Sequence, residues 1–173
     1  MIDPRSVLTD KFSVSHETFR YLTYYHDLLV KWQKRLNLIS PTTIDNIWSR
    51  HILDCAQLCS FLPNKPSLIL DVGTGAGLPG VIISILTDHQ VHLVESDHRK
   101  CAFLRTVLSR VNSDATIHEK RLENLENIKA DRISRDLSSC TATGQILDSW
   151  TPTGREQIGT ICKICHVLIL ATN

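Results

Sequence analysis

Neither sign of charge dominates this sequence: 19 Lys and Arg stand against 18 Asp and Glu, a formal net charge of +1. That balance excludes a strongly basic nucleic-acid binder, so any RNA contact has to come from a local patch. Long apolar runs are missing as well. No stretch approaches the roughly 20 residues that cross a bilayer. The opening MIDPRSVLTDKFSVSHETF lacks the apolar centre of a signal peptide. The expectation is a cytoplasmic protein with no membrane association. Its six cysteines, Cys55, Cys59, Cys101, Cys140, Cys162 and Cys165, then read as reduced thiols rather than a disulfide framework. Methionine occurs once, at Met1, tyrosine occurs only at positions 21, 24 and 25, and no internal repeat is visible. What is present suits a globular chain: 42% hydrophobic and 21% charged residues over 173 positions support one core and perhaps a small extension.

From Ser15 to about Leu36, Phe19, Leu22, Tyr25, Leu29 and Trp32 recur at spacings of three and four, one face of an amphipathic helix. Ser40-Pro41 stops it. Thr42 with Asp45 reads as a capping box for a second helix to about Phe61, with Ile44, Ile47, Trp48, Ile52, Cys55 and Leu58 inward. Pro63 and Pro66 mark a hinge. Residues 67–72 form a nearly continuous apolar run, as in a parallel strand covered on both sides. A helix is expected from Pro79 to Leu86, a strand over 91–95, a helix from Arg99 to Val111 and a strand over 115–118. Strand, helix, strand, helix, strand predicts an α/β fold with a parallel sheet. Beyond about Ala130 periodicity weakens, and only 161–170 could add a strand.

Glycine is sparse, seven in all, yet four lie in the eight residues Gly73-Thr74-Gly75-Ala76-Gly77-Leu78-Pro79-Gly80. A single turn rarely needs so many. Gly73 and Gly75 allow a sharp turn with a ligand against the backbone, and Gly77 is expected to let the following helix approach the strand. Residues 75–80 match G-x-G-x-x-G, so an NAD site has to be weighed. Asp71, two residues before the first glycine, fits the first motif of class I methyltransferases instead. Glu95, ending the second strand, would accept hydrogen bonds from ribose hydroxyls. That feature suits any adenosine ligand and does not choose between the two.

The loop Asp71-Val72-Gly73-Thr74-Gly75-Ala76-Gly77-Leu78-Pro79-Gly80 closely resembles that of the bacterial small-subunit ribosomal RNA methyltransferase G family, also called glucose-inhibited division protein B. Four further segments agree in order and spacing. They are Lys31-Trp32-Gln33-Lys34-Arg35-Leu36-Asn37-Leu38-Ile39-Ser40, Arg50-His51-Ile52-Leu53-Asp54, Lys100-Cys101-Ala102-Phe103-Leu104-Arg105 and Arg121-Leu122-Glu123-Asn124-Leu125. The resemblance covers roughly residues 15–131. It implies a class I methyltransferase Rossmann-like core behind an N-terminal helical cap, and methyl transfer from S-adenosylmethionine to N7 of one guanine in 16S rRNA. The partner would be 16S rRNA or the small ribosomal subunit, with the protein a monomer. Cofactor contacts carried onto this chain are Gly73, Leu78, Leu122 and Glu123. The loop reading adds Gly75, Gly77 and Glu95. The nearest counterpart of the family's arginine after the fourth strand is Arg135, in Ile133-Ser134-Arg135, at a spacing one residue short.

Guanine N7 carries a free lone pair and no proton, so no general base is required and no catalytic residue is assigned; proximity and alignment suffice. Asp71 and Glu95 are acceptable neighbours for a sulfonium cation. Lys100, Arg105 and Arg121 are candidates for RNA phosphates, against the alternative of solvated surface charge. Trp32 and Trp48 could stack on bases, but their apolar faces favour packing. His51 and Asp54 share a helix face and suit a polar network better than a metal, for which further ligands are lacking. Cys162-Lys163-Ile164-Cys165-His166 matches a c-type haem attachment pattern. Without an export signal or a methionine ligand, haem is not expected, nor is zinc without a second cysteine pair.

The chain thus divides into a cap over 1–62, a cofactor-binding core over 63–136 and an atypical tail over 137–173 that is open to disorder. Nothing in 137–173 resembles the family's continuing strands, so the C-terminal strands are expected to be missing or replaced, through a shifted reading frame or a premature end. Two alternatives to an active methyltransferase stay open: a truncated remnant that binds cofactor or RNA without turnover, and an NAD-dependent oxidoreductase. The second lacks a Tyr-Lys pair, its tyrosines all falling in the first long helix.

Overall fold

A computed structural model describes residues 4–125 and 167–170. Three helices precede the sheet. Helix α1 spans Pro4–Phe12 and α2 spans His16–Gln33. Ser15 opens α2, its Oγ accepting from the Thr18 N–H at 3.0 Å, which satisfies one of the unpaired donors of the first turn. Leu22, Tyr25 and Leu29 form its buried face, as the spacing predicts.

The expected second helix is instead a chain of short helical turns. A 3-10 turn covers Pro41–Asn46, a π turn Trp48–Ile52, helix α3 Leu53–Leu58 and another 3-10 turn Cys59–Phe61. The capping box is absent. Ser40 holds the cap position with Pro41 behind it, and Thr42 hydrogen-bonds Ser40 through its hydroxyl at 2.9 Å rather than capping a helix. The π turn has a packing reason: Ile47 and Ile52, five apart, are both buried, and a wider turn brings that spacing onto one side.

Strand β1 is Leu68–Val72, α4 Gly80–Leu86, β2 Gln90–Glu95, α5 His98–Leu108 and β3 Ala115–Glu119; β4 is Val167–Leu170. The sheet order is β3-β2-β1-β4. The first three strands run parallel, with Asp71 opposite Leu93 and Glu95 opposite Glu119. This is the α/β, class I methyltransferase Rossmann-like arrangement that the sequence predicts. β4 pairs with the outer edge of β1 in the antiparallel sense, Leu68 opposite Leu170 and Asp71 opposite Val167. It falls inside 161–170, where a strand was expected. Among the described residues no helix is long and apolar enough to cross a membrane.

Alternation gives the sheet two unlike faces. Ile69, Val91 and Leu93 face the helices and join one buried cluster with Leu22, Tyr25, Leu29, Ile52, Ile82, Ile83, Phe103, Leu104 and Val107. The cap therefore shares its core with the sheet. Trp32 packs edge-on against Phe103, and Trp48 stacks on Phe19 and His26, so both tryptophans pack as their apolar faces predict. His51 Nε2 lies 2.8 Å from Thr43 Oγ1, a local polar contact within the cap, while Asp54 is exposed.

The opposite face carries His92 and His118 on neighbouring strands, ring nitrogens 3.1 Å apart. Burial lowers both from the usual histidine value; Asp114 partly restores His92, whereas His92 and Lys120 push His118 further down. A lowered folded value means that the unfolded chain binds protons first. The stability contribution of these groups is therefore complete above the unfolded histidine value and declines as pH falls through it. The thermal midpoint is expected to drop between about pH 7.5 and about pH 5.5, where histidine titrates. The same melting series on His118→Gln should show a shallower slope; an unchanged slope would remove this pair as its source.

Candidate cofactor site

Parallel strands place their carboxyl ends together, so three segments meet at one edge of the sheet: the loop after β1, Glu95 ending β2 and the turn after β3. This is where open α/β sheets take their ligands. The turn after β3 is the 3-10 segment Leu122–Asn124, with Leu122 half-buried and Glu123 exposed.

The loop from Gly73 to Gly80 is held from four sides. Gly73 and Thr74 N–H groups donate to the Val94 carbonyl at 2.8 and 3.1 Å. Asp71 Oδ2 accepts from Thr74 Oγ1 at 2.6 Å and from Gly80 N–H at 2.9 Å. The Gly75 N–H donates to Glu95 Oε2 at 3.0 Å. From the cap, the Tyr25 hydroxyl donates to the Ala76 carbonyl at 2.9 Å.

Space divides the glycines by purpose. Gly73 has φ +68°, and a Cβ built there would meet nothing within 4 Å. The chain needs glycine at that point for its left-handed backbone, and the open room above is what a close-lying ligand requires. Gly77 is different. A Cβ there would lie 2.4 Å from Val81 Cγ2 and 2.8 Å from Leu104 Cδ2, on α4 and α5. The expectation that Gly77 admits the helix to the strand is therefore corrected: it lets the loop pack against Val81 of α4 and Leu104 of α5. Gly80 holds the helix-to-strand contact, its Cβ position lying 2.4 Å from Leu93 Cδ2 and 2.6 Å from Asp71 Oδ2. The four-glycine spacing carried that signal, although only the first three glycines and Leu78 stood out as site residues.

The two carboxylates differ from each other. Asp71 is 1% exposed and turned into the loop, where it staples Thr74 to Gly80. Glu95 is 7% exposed; besides Gly75, it accepts from Ser96 and Asp97 N–H groups through Oε1, both at 2.8 Å. Thr74 and Tyr25 were not expected at the site. Thr74 follows from no pattern, and Tyr25 reads from sequence only as a core position.

Of the expected RNA contacts, Arg105 is committed to an ion pair with Glu119. Both residues are surface groups, and the pairing of α5 with β3 could not be read from spacing. Lys100 and Arg121 have no ion pair among the described residues, and Arg121 is exposed. No cluster of three metal-ligating side chains occurs among the described residues. Cys59 and Cys101 are free thiols, and burial pushes Cys59 up to about 11. Arg135, the C-x-x-C-H segment at 162–166 and most of the tail lie outside the described residues.

These residues fit an adenosyl ligand: open room over Gly73, backbone turned for close approach, and an acidic side chain at the end of β2. Comparison with known proteins points the same way. The family described as rRNA small subunit methyltransferase G matches residues 18–155, reaching past residue 131, where the recognised motifs end. Ribosomal RNA small subunit methyltransferase G of Paramagnetospirillum magneticum is 44% identical over 131 residues, 76% of this chain and 63% of that protein. Its counterpart in Rhodospirillum centenum is 45% identical, covering 71% of this chain and 57% of the relative. That of Orientia tsutsugamushi is 42% identical over 73% of this chain and 64% of its own length. The chain thus spans about three-fifths of the length of these relatives. With the match running through the cap, the glycine loop and the turn after β3, the chain belongs to the rRNA small subunit methyltransferase G family.

Proposed function

We propose that this chain binds S-adenosylmethionine at the loop of Gly73 to Gly80 and serves methyl transfer to N7 of a guanine in 16S rRNA, in the cytoplasm and as a monomer. The arrangement of Gly73, Gly75 and Glu95 at the carboxyl edge of the sheet carries this reading. The division into cap, core and tail over 1–62, 63–136 and 137–173 belongs to the same proposal.

When bound, the cofactor supplies an electrophilic methyl group on a sulfonium. Gly73, Gly75, Gly77 and Leu78 present backbone to it, and Glu95 takes a ribose hydroxyl. Leu122 and Glu123 line the adenosine side, and Arg135 completes the set. Guanine N7 needs no deprotonation, so the protein's task is to align the ring nitrogen and exclude water. Lys100 and Arg121 hold RNA phosphates, and Arg105 joins them through the guanidinium N–H groups that Glu119 does not take.

A second reading, cofactor or RNA binding without turnover, is favoured by one observation: the outer edge of β1 is taken by the antiparallel strand β4. Doubly wound sheets of this kind continue in parallel there. Labelled methyl transfer to 16S rRNA and to small subunits lacking the modification tests the proposal, with 7-methylguanosine identified by mass spectrometry. Product formation is expected. Cofactor binding without product would favour the second reading, and tighter binding of NAD than of S-adenosylmethionine would sink both.

A further inference from the structure

We infer that Tyr25 is a positioning residue that couples the N-terminal cap to the cofactor loop through its hydrogen bond to the Ala76 carbonyl. The inference deepens the cofactor reading above and rests on it for its ligand arm alone. Tyr25 lies in the middle of α2, fully buried, and its hydroxyl crosses 51 residues of sequence to reach the loop at 2.9 Å. The carbonyl it holds belongs to the residue between Gly75 and Gly77, both at positive φ. That carbonyl lies in the peptide between Ala76 and Gly77, and a following glycine makes a peptide easier to rotate. A donor fixed on a packed helix removes that freedom.

The packing makes the donor rigid. The Tyr25 ring leans on Phe103 of α5, centroids 6.2 Å apart, and Trp32 of the same helix meets Phe103 edge-on. Burial, with Cys55 and Asp71 nearby, raises the phenol well above its ordinary value, so it remains a donor at any working pH. The Ala76 carbonyl shares its peptide plane with the Gly77 N–H, so rotation there would swing that amide away from the Thr74 carbonyl, to which it donates at 2.8 Å. One hydroxyl therefore fixes the orientation of the peptide between Ala76 and Gly77, and the coupling runs both ways: order in the loop favours order in α2, and the reverse.

Two full-length variants test this. Tyr25→Phe removes the hydroxyl and keeps the ring; Leu22→Val trims the same buried face of α2 and keeps the hydroxyl and its bond to the loop. For Tyr25→Phe, affinity for S-adenosylhomocysteine is expected to fall about five- to tenfold, the worth of one buried hydrogen bond. Leu22→Val is expected to leave that affinity unchanged. Without ligand, amide exchange of Gly77 and Leu78 should accelerate about tenfold in Tyr25→Phe relative to Leu22→Val at equal global stability. If Tyr25→Phe matches Leu22→Val in exchange, the inference is overturned. If the wild-type chain binds no adenosyl ligand but exchange accelerates, the cofactor reading fails and the coupling stands. Should Tyr25→Phe not fold, native-state exchange of the wild-type chain decides. Coupling requires Leu78 and the α2 amides to open together with one urea dependence, and separate openings would overturn it.

Discussion

Gly77→Ala is expected to destabilise the chain by about 3 kcal/mol or more, a larger loss than Gly73→Ala. Two costs combine. At φ +83° an L side chain is strained, which costs of order 1–2 kcal/mol. The added Cβ would also fall 2.4 Å from Val81 Cγ2 and 2.8 Å from Leu104 Cδ2, and overpacking typically adds about 1–3 kcal/mol. Val81 and Leu104 are fully buried, so neither can swing into solvent. Gly73→Ala separates the two costs. Its φ of +68° brings the same strain, but nothing lies within 4 Å of the new Cβ. About 1–2 kcal/mol is expected there. Urea unfolding followed by tryptophan fluorescence measures both. Equal losses for the two variants would mean that Val81 and Leu104 give way freely and that Gly77 is needed only for its backbone.

How far the sequence carries such arguments depends on whether a feature is local. Helix α2 is legible because its inward residues repeat at helical spacing and Ser15 supplies a cap within three residues. Strands β1 and β2 are legible because parallel strands buried on the helix side read as apolar runs. The segment from Pro41 to Phe61 is not, because its winding follows from Ile47 and Ile52 reaching one core, a tertiary demand that overrides the Thr42–Asp45 pattern. At the site, the glycines and Glu95 could be named from motif spacing. The Tyr25–Ala76 bond could not, since it joins elements 51 residues apart. Nor could the pairing of Arg105 with Glu119, which depends on the register of β3 beside β2.

Glu95 shows how bond counting narrows a motif into a chemical expectation. A carboxylate offers about four acceptor positions. Ser96 and Asp97 N–H groups take both on Oε1, and the Gly75 N–H takes one on Oε2. One position is left, so on the proposed reading Glu95 would accept one ribose hydroxyl without releasing the loop. Glu95→Ala should then weaken S-adenosylhomocysteine binding about a hundredfold, combining a charge-assisted bond of about 1.5–3 kcal/mol with the loss of the Gly75 brace. Ligand analogues separate the two contributions. Of the 2′-deoxy and 3′-deoxy forms, one should bind the wild-type chain nearly as well as the parent. The other should lose at least tenfold, and that ligand alone should be less sensitive to Glu95→Ala. Calorimetry on the two proteins and three ligands completes the cycle. If all three ligands lose equally on Glu95→Ala, the carboxylate acts through Gly75 alone and holds no ribose. If both deoxy forms are weakened in the wild-type chain and spared in the variant, Glu95 takes both hydroxyls, and the Gly75 N–H must leave Oε2 as the ligand arrives.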